Sequence, residues 1–201
     1  SRILEKTHKR NGGFLMFKIY LAGPFFSDPQ IETIELIENE FDKYGFDYFS
    51  PRKSSGGVIS HLSLEDRTKA SKKIYDKNVE EMMNANILFA IIDGRDTGTV
   101  YEMGYFKALT DHFKYKTKEA SVDLQRYSIT FTNENFGLNI MLKESVDAHI
   151  VGKYKLQSFC GICAGNWDAP KGKEKSKEWE LNNFRRDKIL SQFQDFDPNV
   201  I

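Results

Sequence analysis

The segment that determines the fold is "AIIDGRDTGTVYEMGYFKAL", residues 90–109. Its first residues close the continuous apolar run "ILFAII", whose β-branched side chains are typical of a strand covered on both faces. Its last residues have the pattern of an amphipathic helix. Three carboxylates, Asp93, Asp96 and Glu102, occur in this segment together with three glycines. A loop that only connected a strand to a helix could be shorter and less acidic, so the segment is a candidate functional site.

Strands and helices alternate on both sides of this segment. The predicted strands are "FKIYLAG", "FDYFSP", "ILFAIID", "YSITFT" and "AHIVGKY". Four main helices are predicted. The first starts at Ser27 or Asp28 and stops at Gly45, and the second covers residues 64–85. The third runs from about Val100 to Leu109, and the fourth lies around "GLNIMLKES". This order predicts an α/β fold: a doubly wound, mainly parallel open sheet with helices on both faces, a three-layer sandwich of flavodoxin or Rossmann type.

The composition places the chain among ordinary globular proteins. Its 201 residues, 40% of them hydrophobic, suffice for one core, so we expect a single domain over 16–201. Residues 1–15 are polar and are predicted to form a flexible arm, and a C-terminal extension begins at about residue 155. Basic and acidic residues number 29 each, so net charge favours neither nucleic acid nor a membrane surface as a partner.

Neither a membrane span nor a metal site is expected from the sequence. The longest apolar runs are far too short to cross a bilayer, and "SRILEKTHKR" lacks the apolar run of a secretory signal, so we expect a cytoplasmic protein. The cysteines, Cys160 and Cys163, form one CxxC without a second pair of metal-ligand spacing. They are predicted to be reduced thiols in a turn.

The acidic segment has a structural interpretation and a functional one. In the structural interpretation, Thr99 and Glu102 form a capping box at the start of the helix. Asp93 and Asp96 are then ordinary turn residues beside Gly94 and Gly98. In the functional one, Glu102 lies in the first helical turn, where the helix dipole favours its ionised form. An ionised carboxylate is a competent nucleophile toward an anomeric carbon.

Ligands of such sheets bind at the carboxyl ends of the strands, where four predicted loops meet: "AGPFFSDPQ", "SPRKSSGG", "DGRDTGT" and "TNENFG". The first strand and its loop bring three aromatic residues to this edge. The phenol of Tyr20 can hydrogen-bond a carboxylate, and Phe25 and Phe26 can stack on a base. Packing in the core is the commoner role of phenylalanine, but their place in a loop with glycine and proline argues for a binding role.

Four motifs in this order, "KIYLAGPFFSDPQ", "IYDKNVEEMMNAN", "DGRDTGTVYEMGYFKA" and "LNIMLKESVDAHI", resemble the nucleoside 2-deoxyribosyltransferase family over residues 17–152. The resemblance implies transfer of 2-deoxyribose from a 2′-deoxynucleoside to a free nucleobase through a covalent deoxyribosyl-glutamate. It also implies a doubly wound sheet, no cofactor, and a homo-oligomer with sites near the subunit interfaces.

The resemblance also implies roles for individual residues. Glu102 matches the nucleophile, Tyr20 the tyrosine that orients it, and Asp96 an aspartate that contacts the base and helps to protonate the leaving nitrogen. Asn139 and Met141 match residues that reach the 5′-hydroxyl of the sugar, often in a neighbouring subunit's site. Asp93 and Gly98 belong to the same predicted substrate-binding loop.

One position departs from the family pattern. A second base-contacting aspartate falls on Asn78, with Asp76 two residues earlier. Because an amide cannot donate a proton as an acid does, this difference bears on base preference. The C-terminal region departs too, since a longer charged segment replaces a short aromatic tail.

Two other functions fit the sequence. A hydrolase would pass the sugar to water, and "SPRKSSGG" offers Arg52 and Lys53 as a clamp for the phosphate of a nucleoside 5′-monophosphate, although a solvated loop explains this segment better. A non-catalytic nucleotide-binding module would use the same sheet, since fold alone does not establish function. Glu102 discriminates between them: only an enzyme needs its carboxylate for turnover.

Overall fold

The computed structural model describes residues 17–54, 63–116, 126–134, 137–166 and 187–196. The predicted N-terminal arm lies outside these ranges. The strands are β1 (Lys18–Ala22), β2 (Asp47–Phe49), β3 (Ile87–Ile91), β4 (Tyr127–Thr132) and β5 (Ala148–Val151). The helices are α1 (Asp28–Tyr44), α2 (Pro51–Ser54), α3 (Leu64–Asn84), α4 (Thr97–Lys116), α5 (Ile140–Lys143) and α6 (Lys153–Asn166), with a short 3₁₀ turn at Asp93–Arg95.

The five strands form one parallel sheet in the order β2-β1-β3-β4-β5. In register, Tyr20 of β1 pairs with Leu88 of β3, and Leu88 pairs with Ser128 of β4. This confirms the predicted doubly wound α/β fold. The chain runs from β1 to one side for β2 and to the other side for β3. The crevice at the carboxyl ends of β1 and β3 is therefore the topological switch point, where such sheets bind their ligands.

Alternate residues of the central strands pack against helices on opposite faces of the sheet. Leu21 and Phe89 belong to a cluster on the face that α1 and α6 cover. Tyr20 and Leu88 belong to a second cluster on the other face, together with Met82 of α3 and with Met103 and Phe106 of α4. Every residue of β3 is buried, as its continuous apolar run predicts. The second cluster anchors α4 beside the switch point.

The predicted ends of α1 are confirmed. Ser27 is the N-cap, and the side-chain carbonyl of Gln30 accepts hydrogen bonds from the backbone N–H groups of Phe26 (2.9 Å) and Ser27 (3.1 Å). Gly45 ends the helix with φ 69°, a left-handed conformation that favours glycine. The loop that leads from β1 into α1 is therefore held by its own side chains.

Two predicted boundaries are wrong. Helix α4 begins at Thr97 rather than Val100 and extends to Lys116 rather than Leu109. Its extension includes an ion pair between Lys107 and Asp111 at 2.7 Å, a spacing that stabilises helices. The strand predicted over "AHIVGKY" ends at Val151, since Gly152 has φ 82° and α6 begins at the next residue.

The two cysteines lie on a helix and not in the predicted turn. Cys160 and Cys163 occupy consecutive turns of α6, and both are buried against the sheet face that α1 also covers. Burial raises the pKa of Cys160 to about 12 and raises that of Cys163 as well. Both thiols therefore stay protonated at neutral pH and pack as small apolar side chains.

Residues 187–196, which belong to the C-terminal region that the sequence left unplaced, cover the edge of the sheet. After a helical turn at 187–190, Gln194 forms a parallel bridge to His149 of β5. Leu190 and Phe193 enter the core cluster below α6. Such cover protects an exposed strand edge. None of the helices in the described ranges has the length and apolar content needed to cross a membrane.

Candidate active site

Tyr20 and Glu102 meet at the switch point. Tyr20 is fully buried in the middle of β1, and its hydroxyl donates a hydrogen bond to Glu102 Oε1 at 2.6 Å. Glu102 is partly buried because the next residue, Met103, and Phe106 one turn later anchor this face of α4 in the core. The structure thus brings together the predicted nucleophile and the predicted orienting tyrosine, which are 82 residues apart in sequence.

Asp96 begins helix α4. Its Oδ2 accepts hydrogen bonds from the backbone N–H of Thr99 at 2.7 Å and from the Thr99 hydroxyl at 3.0 Å, and its carbonyl accepts from Val100 N–H. Asp96 is therefore the N-cap, and the capping box predicted for Thr99 and Glu102 is wrong. Glu102 lies in the second helical turn, not the first.

Gly98 is needed beside the Asp96 carboxylate. A Cβ at this position would stand 3.0 Å from Asp96 Oδ2, which is tighter than ordinary contact. The glycine lets the carboxylate fold back over the first turn of α4 and reach Thr99. Thr99 is buried, and sequence reasoning gave it a cap role of its own rather than this supporting one. Gly98 and Thr99 together fix where the Asp96 side chain lies.

The environment of Glu102 raises the pKa of its carboxyl group. Burial raises the pKa of Glu102 to about 7; the hydrogen bond from Tyr20 lowers it, and the negative charge of Asp96 raises it. Because Glu102 lies in the second turn and the dipole field decays within the first, the helix dipole favours its ionised form less than the sequence predicted. Burial, followed by the charge of Glu102, raises the pKa of Tyr20, which therefore stays a hydrogen-bond donor.

The carboxylate of Asp93 is bound to the end of the neighbouring strand. It accepts hydrogen bonds from the Thr132 hydroxyl, from Asn133 N–H at 3.0 and 3.1 Å, and from Asn133 Nδ2 at 3.0 Å. Asn133 Nδ2 also donates to Thr33 Oγ1 of α1 at 2.9 Å. Sequence reasoning placed "TNENFG" at the same edge but gave Thr132 and Asn133 no role.

Residues 19–142 match the family model described as nucleoside 2-deoxyribosyltransferase, and the match includes the predicted site residues Tyr20, Asp93, Asp96 and Glu102. The chain belongs to the nucleoside 2-deoxyribosyltransferase family. The 2-deoxyribosyltransferase of the psychrotolerant bacterium Bacillus psychrosaccharolyticus has a similar structure. It is 25% identical with a TM-score of 0.55, and the match covers 70% of this chain and 90% of that one.

A second relative is similar in sequence. The uncharacterized protein UU063 of Ureaplasma parvum is 33% identical over 107 residues. The match covers 48% of this chain and 63% of that protein, so the chain spans less than two thirds of this relative's length.

Beside the core of the site, the two phenylalanines of the β1–α1 loop form a stacked pair. The ring centroids of Phe25 and Phe26 lie 5.1 Å apart with an interplanar angle of 25°. Phe25 is partly buried and packs against the core, whereas 76% of Phe26 is exposed. Phe26 therefore offers a free aromatic face that Phe25 supports from behind, and base stacking stays a prediction for both.

Arg52 is already paired with acidic side chains. "PRKS" forms helix α2 rather than the predicted loop, and Arg52 binds Glu38 and, at 3.1 Å, Glu35 of α1. Lys53 contacts Asp42 at 3.2 Å. These pairs join α2 to α1 and neutralise both cations. The rest of the proposed anion nest, residues 55–57, lies outside the described ranges, and the substrate contact of Arg52 stays a prediction.

The remaining predicted residues lie on other elements. Asp76 is exposed and pairs with Lys72 one turn earlier on α3, whereas Asn78 is partly buried. Asn139 caps α5 by accepting Met141 N–H at 2.9 Å, and 76% of Met141 is exposed. Within the described residues, none of the four predicted residues forms a hydrogen bond with Glu102, so their substrate contacts remain predictions.

Proposed function

We propose that this protein transfers 2-deoxyribose between nucleobases by a retaining double displacement in which Glu102 is the nucleophile. The observation that carries the proposal is the 2.6 Å hydrogen bond from the buried Tyr20 hydroxyl to Glu102 Oε1 at the switch point of the sheet. Membership of the deoxyribosyltransferase family supports it. A buried carboxylate held by a phenol and flanked by a second carboxylate is suited to a glycosyl transfer.

In the first half of the proposed reaction, Glu102 attacks C1′ of the deoxynucleoside. Tyr20 holds Oε1, and within the described part of the chain no hydrogen bond occupies Oε2, which is therefore the attacking atom. The C1′–N bond breaks and its electron pair leaves with the base. In the reacting form the two carboxylates share one proton: Glu102 is ionised, and Asp96 carries the proton and gives it to the departing nitrogen. The products are a free base and a deoxyribosyl ester of Glu102.

The second half reverses these events with a different base. A nitrogen of the acceptor attacks C1′, the ester bond breaks, and its electron pair returns to Glu102. Asp96 takes the proton that the acceptor nitrogen loses, so protons and charges balance over the cycle. Each displacement inverts C1′, and two inversions restore the original configuration. Asp96 can serve both halves because only its Oδ2 is occupied by Thr99.

We further propose that the site is completed by a second copy of the chain in a homo-oligomer. Ile140 and Met141 at the start of α5 are 53% and 76% exposed, although large apolar side chains usually find cover. Asn139 directly precedes them. In this proposal, Asn139 and Met141 contact the sugar hydroxyl in the site of a neighbouring subunit. That subunit would cover the exposed side chains of Ile140 and Met141.

The proposal is tested by following products. The purified protein is incubated with a 2′-deoxynucleoside, with and without a second free base, beside Glu102→Gln and the exposed control Glu65→Gln on α3. A new deoxynucleoside that needs the acceptor supports the transferase, and we expect Glu102→Gln to lower kcat by at least about 10³-fold. Release of free base at equal rates with and without acceptor indicates a hydrolase.

A second measurement tests the covalent intermediate. Intact-protein mass spectrometry after acid quenching of a reaction with the donor nucleoside alone should reveal one added deoxyribosyl group, and peptide mapping should place it on Glu102. Glu102→Gln should gain no such mass. Turnover without any adduct on Glu102 under rapid quenching would contradict a covalent mechanism. No product in any reaction, combined with retained base binding, would indicate a binding module.

A further inference from the structure

The turn that carries Asp96 has an unusual backbone. Gly94 and Arg95, which directly precede Asp96, both adopt left-handed conformations, with φ 77° and φ 52°. Glycine tolerates this conformation, but it is unfavourable for arginine. Such strain persists where the surrounding structure fixes the chain, and it occurs often at functional sites. The position of Asp96 therefore depends on contacts that hold this turn in place.

The contacts that fix the turn come from β4 and α1. At the start of the turn, both oxygens of Asp93 accept hydrogen bonds, from Thr132 and Asn133. Ile92 N–H donates to the carbonyl of Phe131 at 3.0 Å, which extends the pairing of the two strands. Asn133 also reaches Thr33 of α1 at 2.9 Å. The turn is thus tied to two neighbouring elements.

We propose, resting on the function argued above, that Asp93, Thr132 and Asn133 form a clamp that positions Asp96 for proton transfer and that Asp93 is not a substrate contact. Both Asp93 oxygens are occupied by donors of the protein itself, which leaves this side chain poorly placed to bind a base. The clamp acts through Asp96, which follows it by three residues. Asp93, Thr132 and Asn133 are therefore positioning residues.

Loosening the clamp has a consequence that a loss of stability alone does not have. When the Asp96 carboxylate moves away from Glu102, its charge no longer raises the pKa of Glu102 as strongly. The acid limb of the rate profile therefore shifts to lower pH, because Glu102 ionises more readily. At the same time kcat falls more than KM rises, since proton transfer to the base is misaligned while most substrate contacts persist.

The test compares three buried threonine variants on β4. Thr132→Val removes the hydroxyl that binds Asp93, and Thr132→Ser retains it. The control is Thr130→Val: Thr130 lies on the same strand and sheet face, is equally buried, and bonds His149 Nδ1 at 2.9 Å, away from the turn. We expect Thr132→Val to lower kcat roughly 10-fold or more and to shift the acid limb downward. Thr132→Ser and Thr130→Val should keep the wild-type profile.

A direct titration separates failure of the clamp from failure of the proposed function. The pKa of the Glu102 carboxyl, followed by carbon-13 NMR with Glu102→Gln for assignment, is measurable without turnover. We expect a lower pKa in Thr132→Val and no change in Thr130→Val. Equal shifts in both variants, or none in Thr132→Val, would overturn the clamp even if the wild type is a transferase.

A further variant, Asn133→Ala, tests the clamp even if a buried threonine variant does not fold, because Asn133 is exposed. It removes the bonds from Asn133 Nδ2 to Asp93 and Thr33 and keeps the backbone N–H, so we expect a shift in the same direction but smaller. A wild type without turnover whose Glu102 pKa still responds to Thr132→Val would refute the proposed function and retain the clamp. An unchanged pKa in Asn133→Ala would count against it.

Discussion

Replacing Glu102 with glutamine should make the protein more stable at neutral and alkaline pH. The carboxylate is partly buried, and its pKa rises from 4.5 to about 7 on folding, mainly through burial. Below pH 4.5 the group is protonated in both the folded and the unfolded chain and costs nothing. Above pH 7 it is ionised in both, and only the folded chain bears the unfavourable burial of charge.

The size of the effect follows from the interval between the two pKa values. An interval from 4.5 to about 7 corresponds to about 3 kcal/mol of unfolding free energy. The wild type loses this stability as the pH rises through the interval, whereas glutamine has no proton to lose. Glutamine retains a carbonyl that can accept the hydrogen bond from Tyr20. At pH 8 we expect Glu102→Gln to be more stable by about 2–3 kcal/mol, or about 4–12 °C in Tm.

The assay is denaturant unfolding of both proteins between pH 4 and pH 8. The matched control is Glu81→Gln: burial alone would raise the pKa of Glu81, but hydrogen bonds from Lys18 and Lys77 lower it overall. Glu81 therefore stabilises the fold above its unfolded pKa, and its variant should be less stable at pH 8 and approach the wild type in acid. If Glu102→Gln is no more stable than the wild type at pH 8, the account of Glu102 is refuted.

Three further substitutions have defined outcomes. Tyr20→Phe removes the hydrogen bond that lowers the pKa of Glu102. In a pH–rate profile, the acid limb of kcat/KM should therefore move to higher pH, and activity at pH 7 should fall about 10-fold. Gly98→Ala brings a methyl group to 3.0 Å from Asp96 Oδ2; kcat should fall several-fold while Tm changes little, since alanine favours the helix. Gly23→Ala places its Cβ 2.8 Å from the isoleucine that ends β3 and should destabilise the protein by about 1–3 kcal/mol in urea unfolding, with unchanged pH dependence of activity.

The central site was predictable because its information is local or topological. Tyr20 precedes a loop at the end of the first strand, and Asp96 and Glu102 follow an unmistakable buried strand. In a parallel sheet, the carboxyl ends of neighbouring strands lie at one edge. The order of elements alone therefore places these three side chains close together, whereas their roles remain predictions from the resemblance to the family motifs.

The start of α4 was not predictable because two spacings compete. Asp96 and Thr99 are three residues apart, as are Thr99 and Glu102, and both aspartate and threonine are good N-caps. Periodicity cannot distinguish a helix that begins at Thr97 from one that begins at Val100. The structure selects the earlier start, with Gly98 leaving room for the Asp96 carboxylate. This choice moves Glu102 into the second turn.

Long-range contacts account for the other features that the sequence did not reveal. The bond between Asp93 and Thr132 joins residues 39 positions apart, and nothing in either local sequence specifies it. The glycines of "CGICAG" disfavour a helix, but burial of Cys160 and Cys163 against the core outweighs that preference. The ion pairs of Arg52 were not foreseen because its acidic partners on α1 are 14 and 17 positions away.

Burial and the proposed nucleophilic attack have opposite requirements for the charge of Glu102. Burial makes ionisation of Glu102 unfavourable, yet in the proposed mechanism only the ionised form attacks C1′. Tyr20 offsets part of this cost with one strong hydrogen bond, and Asp96 adds to it with its charge. Activity should therefore rise with pH through the region near pH 7, where the same ionisation reduces stability. Because one proton governs both quantities, a variant that shifts the acid limb of activity should shift the pH dependence of stability by the same interval.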